Sequence, residues 1–346
     1  MAYRSLLGAL SLCVFGAIGA YAQSMIPVSY DTLSGWQADD HEAALETFLR
    51  SCRRTSTGDL VPDDHWEALC RAGEAALDAR TFFEAAFQPI VIEDGGDPLF
   101  TGYYEPELQA SATRTDRFNY PLYRRPPEVA TSRNPWLTRE QIEGGALHGR
   151  GLEIAWLDDP VDAFFLHVQG SGRLLLQDGS ILRLGFGGRN NHPYRSVGRY
   201  MADEGLLPPH GVSARGIKAW VRENGSVGRA VLNANPSYIF FREVPGLTRQ
   251  DGPQGAMGIS LTAMRSVAVD NSFVPLGLPV WLETETSDGP LKRLMIAQDV
   301  GAAVKGAQRA DIFFGSGSAA YARAGQQRGD GRLVVLMPRA MLDDGS

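Results

Sequence analysis

The 346-residue chain has only three cysteines and six scattered histidines, with no His-Glu-x-x-His. That excludes a thiolate zinc framework and the common zinc-protease helix. No metal or other cofactor is expected. Beyond residue 22 no apolar run reaches the length of about 20 residues that a membrane span needs. There is no long basic run, and the formal net charge is −7. Both count against a nucleic-acid partner held through its phosphates. No internal repeat or long low-complexity tract is present. Ser171 lies in Gly170-Ser171-Gly172, which is not the Gly-x-Ser-x-Gly elbow of a serine hydrolase.

What is present begins with a leader. Arg4, a mostly apolar run from Leu6 to Ile18 and Ala20-Tyr21-Ala22 read as a secretory signal (residues 1–22) cut before Gln23. Cys13 invites a lipid anchor, but the bulky Leu12 before it stands where a small residue is expected. The expectation is an exported, periplasmic protein without an anchor, associated at most loosely with the outer membrane. Loss of Arg4 leaves 32 Lys+Arg against 40 Asp+Glu, a net charge of −8. Cys52 and Cys70 remain, an even pair in an oxidising compartment. A bridge would close a loop of about 19 residues and stabilise by about 3 kcal/mol. The alternative is two buried thiols.

Residues 39–88 read as helical, with apolar stripes at Ala44, Leu45 and Phe48 and again at Trp66, Leu69 and Leu77. Asp63-Asp64 are placed as an N-terminal cap. From about 109 to 246 short strand-like pieces alternate with Gly, Pro and Asp: Tyr120–Tyr123, Phe164–Val168, Leu174–Gln177 and Ile181–Leu184, with Asp178-Gly179 as a hairpin turn. Helices are expected near 192–204 and 213–223, and an aromatic strand at Tyr238–Phe241. The last hundred residues again read as strands, with a short helix near 317–325. Many short strands with Gly/Pro turns point to barrels.

Three aspartates stand inside apolar, strand-like segments: Asp270, Asp299 and Asp311. A carboxylate there is costly unless it is paired or used. Apolar surroundings push a carboxyl towards its protonated form, which suits the general acid of glycosidic cleavage. Ala310 and Ile312-Phe313-Phe314 give Asp311 that environment in sequence, while Asn271 and Gln298 make the other two look more polar. The alternative is that all three cap turns or pair with Lys305 and Arg309. Asp299-Val300-Gly301 lacks the hydroxyl and the second copy of an aspartic protease, and the spacing of a calcium loop is missing. Gln169, Asn190, Asn191, His192, Tyr194 and Arg195 offer hydrogen bonds to a sugar, and Tyr103 and Tyr104 offer flat faces.

Several stretches together resemble one family. They are Thr101-Gly102-Tyr103-Tyr104-Glu105-Pro106, His167-Val168-Gln169-Gly170-Ser171-Gly172, the run Gly187 to Gly198, Asn235-Pro236-Ser237-Tyr238-Ile239-Phe240-Phe241, Val274-Pro275-Leu276-Gly277, and Ala297 to Gly315. The chain is similar to the membrane-bound lytic murein transglycosylase A family, glycoside hydrolase family 102, whose last part is the 3D domain. The resemblance implies a mainly β fold: a double-psi barrel from both chain ends (23–108 and 247–346, with the 3D domain at about 250–337) and a smaller inserted barrel (109–246). It implies peptidoglycan glycan strands as the partner and cleavage between N-acetylmuramic acid and N-acetylglucosamine with a 1,6-anhydro end, in exo fashion. It implies Asp311 as acid/base with Asp299 and Asp270 in support, and a substrate wall of Tyr103, Tyr104, Gln169, Gly170, Ser171, Asn190, Tyr194, Arg195 and Ser196. A non-catalytic peptidoglycan-binding module is the alternative.

Overall fold

The structure is a computed structural model that describes residues 24–53, 61–208 and 211–343. The expected signal segment and Cys13 lie outside the described residues. Among those described, no helix is long and apolar enough to cross a membrane.

Three helices precede the main sheet: α1 (His41–Ser51), α2 (Asp63–Glu74) and α3 (Ala79–Ala86). The Asp40 side chain caps α1 by accepting from the Ala43 N–H, and Asp78 does the same for α3 through Thr81. For α2 the cap position is Pro62, and Asp63 and Asp64 fall within its first turn. Cys52 and Cys70 form a disulfide, with Cα atoms 5.6 Å apart, that ties the end of α1 to α2. Phe48, Trp66, Phe82 and Phe83 of these helices and Phe87 of the following strand interlock in edge-to-face and tilted pairs and join the core of the sheet.

Fifteen strands are present among the described residues: β1 (Ser24–Pro27), β2 (Phe87–Glu93), β3 (Leu99–Glu105), β4 (Glu107–Ser111), β5 (Tyr120–Tyr123), β6 (Glu153–Leu157), β7 (Gly172–Leu176), β8 (Ile181–Arg189), β9 (Ile239–Glu243), β10 (Ser266–Val269), β11 (Pro279–Thr286), β12 (Gly289–Val300), β13 (Arg309–Ser316), β14 (Arg328–Gly329) and β15 (Gly331–Pro338). Nine of them form one mixed sheet in the order β1-β2-β15-β11-β12-β10-β13-β3-β14. Both ends of the chain feed it, and the pairs β10–β12 and β13–β3 are parallel. The other six, β5-β6-β4-β7-β8-β9, form a nearly closed barrel, and a bridge between Arg124 and Phe241 joins its outer strands. The molecule thus has the mainly β architecture that the resemblance implies: a large sheet from both chain ends, a small inserted barrel and helices at the N-terminus.

One expected strand is a helix. Phe164–Val168 lies within the helix Pro160–Gln169. Asp159 caps it through the Val161 N–H, Pro160 fits its first turn, and Gly170 ends it at a positive φ of 77°. Its apolar run is continuous because both sides are covered. Ala163 and Leu166 face the barrel, while Val161, Phe164 and Phe165 face the helices Val197–Asp203, Ala214–Glu223 and Gly225–Leu232. The last of these helices was not anticipated.

The chain leaves the large sheet at Pro106, between β3 and β4, and returns through the segment after β9. A buried ion cluster fastens this crossing. Glu105 accepts from Arg173 Nε at 2.8 Å, from Arg183 Nη2 at 2.9 Å and from the Ser316 hydroxyl at 2.7 Å. Both guanidinium groups also donate to the Asp251 carbonyl of the returning segment.

Candidate active site

The site is built on β3. Alternate residues of a strand share a face, and Thr101, Tyr103 and Glu105 use theirs in succession. Thr101 donates to Asp311 Oδ1, Tyr103 donates to Asp299 Oδ2 at 3.0 Å, and Glu105 holds the inter-sheet ion cluster. Gly102 between them faces the helix Gly317–Ala324. A Cβ there would lie 2.6 Å from the Phe314 ring and 3.0 Å from the Ala324 backbone, so the close approach requires glycine.

Register brings the two carboxylates together. On β10, Ala268 is opposite Asp299 of β12 on one side and Asp311 of β13 on the other. Asp311 in turn is opposite Thr101 of β3. Asp299, Ala268, Asp311 and Thr101 therefore form one row across four strands, with only a methyl side chain between the two acids. Neighbouring strands lie about 4.8 Å apart, which separates the two aspartate Cα atoms by about 10 Å.

The two acids are held differently. Asp299 accepts from Tyr103, and its Oδ1 accepts from the Ala256 and Val300 N–H groups, each at 2.9 Å. Burial outweighs these bonds and pushes its carboxyl up to about 6. Burial also raises the Tyr103 phenol well above its ordinary value, and the Asp299 charge adds to this. Asp311 keeps about a fifth of its side chain exposed and is paired with Arg309, Nη1 to Oδ1, at 2.6 Å. Its Oδ2 accepts no hydrogen bond from the described residues.

This corrects the expected chemical surroundings. The apolar neighbours Ala310 and Ile312 point to the opposite face of β13, so Asp311 meets Thr101 and Arg309 instead. The desolvated carboxyl is that of Asp299. Asp270 belongs to a turn. It accepts from the Ser272 N–H and hydroxyl and from the Gly306 N–H, with Lys305 Nζ at 3.7 Å. Burial alone would raise its carboxyl, but these donors prevail and hold it below the ordinary value. Asp270 thus pins the loop that leads into β13.

The proposed wall residues separate into two groups. Tyr194 is half-buried, and its phenol is raised by burial, with Arg139 lowering it and Asp311 raising it. Arg195 and Ser196 are exposed on the same loop, where Ser196 caps the following helix through the Arg199 N–H. Asn190 departs from its expected role, because it is fully buried. Its amide donates to the Leu137 and Pro236 carbonyls and accepts from the Tyr238 N–H, which leaves nothing for a ligand. Gln169 accepts from the Tyr104 N–H at 3.1 Å, Gly170 ends a helix and Ser171 is buried. Tyr104 packs on Tyr321, on the face of β3 away from Asp299. Tyr104, Gln169 and Gly170 keep partial exposure. Among the described residues no group of three His, Cys, Asp or Glu is placed to hold a metal ion.

Sequence reading missed Thr101, Arg309 as a site residue, and Arg139. Arg139 is buried and donates to the carbonyls of Asn235 and Ser237, to Glu143 and to His167 Nδ1 at 2.9 Å. Burial, aided by Arg139, holds the His167 imidazole well below its ordinary value, so it is neutral. Asn235 also accepts from the Arg195 N–H. Arg139 thus braces the loop that carries Tyr194 and Arg195. A two-residue spacing on a strand could have flagged Thr101 and Arg309; nothing in sequence flags Arg139.

Two parts of the chain match described domain families. Residues 99–242 match the "MltA specific insert domain" and residues 265–337 match the "3D domain". The membrane-bound lytic murein transglycosylase A of Escherichia coli K12 is 36% identical over 276 residues, covering 77% of this chain and 73% of the relative. A crystal structure of a membrane-bound lytic murein transglycosylase from Agrobacterium tumefaciens has a TM-score of 0.84 at 33% identity, covering 93% of this chain and 99% of that one. A structure of E. coli MltA with bound chitohexaose has a TM-score of 0.72 at 29% identity, covering 92% and 96%. The site therefore belongs to the class of proteins that pair an MltA insert with a 3D domain. The chain belongs to the membrane-bound lytic murein transglycosylase A family.

Proposed function

We propose that the protein is a peptidoglycan lytic transglycosylase in which Asp311 alone is acid and base. It cuts the β-1,4 bond between N-acetylmuramic acid and N-acetylglucosamine. One observation carries the assignment within the pair: Asp299 has both oxygens engaged by three donors, whereas Asp311 has an Oδ2 that accepts nothing from the described residues. The relative that is described with bound chitohexaose supports a glycan ligand.

The protonated Asp311 gives its proton to the glycosidic oxygen as the C1–O bond breaks. The resulting carboxylate then takes the proton of the muramic C6 hydroxyl, whose oxygen bonds to C1. A 1,6-anhydro end forms, no water is consumed, and the acid is restored. No second nucleophilic carboxylate is needed, in contrast to the usual pair of carboxylates. Asp299 and its Tyr103 partner sit beside the reacting centre and respond to charge there. Asp270 supports β13. The two sheets are read as two domains, 23–108 with 247–346 and an insert at 109–246. Exo action rests on the family resemblance, and export to the periplasm on the leader together with the membrane-bound relatives.

Digestion of purified murein sacculi, with mass analysis of the products, tests the reading. Anhydromuropeptides are expected from the wild type and none from Asp311→Asn, with a release time course that favours strand ends. Reducing-end muramic products would overturn the transglycosylase reading, and full turnover by Asp311→Asn would overturn the acid/base assignment. Binding to sacculi without any release by the wild type would favour the non-catalytic alternative.

A further inference from the structure

We infer that Arg309 and Thr101 form a positioning device that fixes which oxygen of Asp311 carries the catalytic proton. The inference rests on the acid/base reading of Asp311. Arg309 Nη1 donates to Asp311 Oδ1 at 2.6 Å, and the Thr101 hydroxyl donates to the same oxygen. Arg309 Nη2 donates to that hydroxyl at 2.8 Å. The three groups close a ring. Among the described residues Oδ1 is the acceptor of the Thr101 hydrogen, while the Thr101 oxygen accepts from Arg309.

Arginine cannot accept a hydrogen bond, and here the hydroxyl is committed as a donor. Oδ1 therefore faces two donors and has no acceptor to which its own proton could be given. A proton on Asp311 must sit on Oδ2, the oxygen that accepts nothing from the described residues. The protein thereby presents the acidic hydrogen on the open side in every turnover and keeps the carboxyl plane from rotating.

Arg309 itself is held rigidly. It is mostly buried, and Nη1 also donates to the carbonyls of Leu99 at 3.1 Å and Ala310 at 2.7 Å. These bonds link β13 to the start of β3. The guanidinium is therefore a fixed fork, which a lysine, as a single flexible point charge, reproduces only in part. Neither residue reaches the reacting atoms in this arrangement; both act through Asp311.

The test compares Thr101→Val, Thr101→Ser, Arg309→Met and Arg309→Lys, each in the full mature chain. Turnover is measured on soluble glycan strands, and chitohexaose binding by calorimetry. Thr101→Val and Arg309→Met are expected to lose about 10- to 100-fold in kcat, the scale of a charged hydrogen bond that orients a reacting group, with KM and chitohexaose affinity within twofold of wild type. Thr101→Ser should restore most of the rate and Arg309→Lys part of it. A merely structural role would instead lower KM-dependent binding and thermal stability together, with no rescue by serine. Equal kcat for Thr101→Val and Thr101→Ser overturns the inference, and that pair decides the matter even where Arg309→Met does not fold. An inactive Asp311→Asn combined with wild-type kcat in Thr101→Val sinks only this inference; an active Asp311→Asn sinks the acid/base reading itself.

Discussion

Tyr103 donates its phenolic hydrogen to Asp299 across 3.0 Å, joining β3 to the end of β12. The bond favours the ionised carboxyl and opposes the burial that pushes Asp299 up to about 6. Removing it in Tyr103→Phe should raise the Asp299 midpoint further, by about one unit. Carbon-13 NMR titration of the aspartate carboxyls reads this directly. A midpoint that falls or stays near 6 would show that the bond does not act on the charged form.

Asp299 also makes stability depend on pH. Its carboxyl is raised from 3.8 to about 6, so the folded protein holds that proton more tightly than the unfolded chain does. The favourable contribution is full below the unfolded value and is lost as pH rises through 6. At pH 7 the ionised, desolvated group therefore costs stability. Partial exposure reduces the cost to on the order of 1–2 kcal/mol. Asp299→Asn should be more stable than wild type by that amount at pH 7.5 in urea unfolding, and the gap should close at pH 4. A variant less stable at pH 7.5 would contradict this.

Glu105 should dominate the attachment of the barrel. It lies fully buried between Arg173 and Arg183, and Glu105→Ala leaves two buried cations without their carboxylate. The expected loss is about 3–5 kcal/mol. Denaturant melts measure it, and limited proteolysis should show new cuts near 244–265 where the chain returns from the barrel. A loss below about 1 kcal/mol would mean that the Asp251 carbonyl and water replace the ion pair.

The Cys52–Cys70 bridge closes a loop of 18 residues' separation on the α1–α2 pair. Chain-entropy reasoning gives about 3 kcal/mol for such a loop. Reduction, or a Cys52→Ala/Cys70→Ala double variant, should lower the unfolding free energy by roughly that amount while glycan cleavage persists at 25 °C, because the bridge lies among the N-terminal helices. Unchanged stability after complete reduction would show that helix packing alone fixes this segment.

Local rules were readable where the chain makes its own decisions. The helices around Phe48, Trp66 and Phe82, the Asp178-Gly179 hairpin, strand Tyr120–Tyr123 and the late strands lie where periodicity and turn residues put them, although Leu77, expected on the Trp66 stripe, lies beyond α2 and is fully exposed. Phe164–Val168 defeated the same reasoning, because a helix covered on both sides has no polar face to reveal its period. The stronger local signal, an Asp-Pro start and a glycine stop, was there and outweighs the apolar run.

The site was legible as an inventory and not as an arrangement. By itself the sequence placed Asp270, Asp299 and Asp311 in apolar, strand-like segments within a family's motifs. Tertiary structure alone decided that Asp270 caps a turn, that Asp299 is the desolvated acid and that Asp311 is paired with Arg309 but open on one side. The reason is physical. In a strand, adjacent residues face opposite ways, so the surroundings of a carboxyl come from neighbouring strands. Here they come from β3, about two hundred residues earlier in the chain: 196 between Tyr103 and Asp299 and 210 between Thr101 and Asp311.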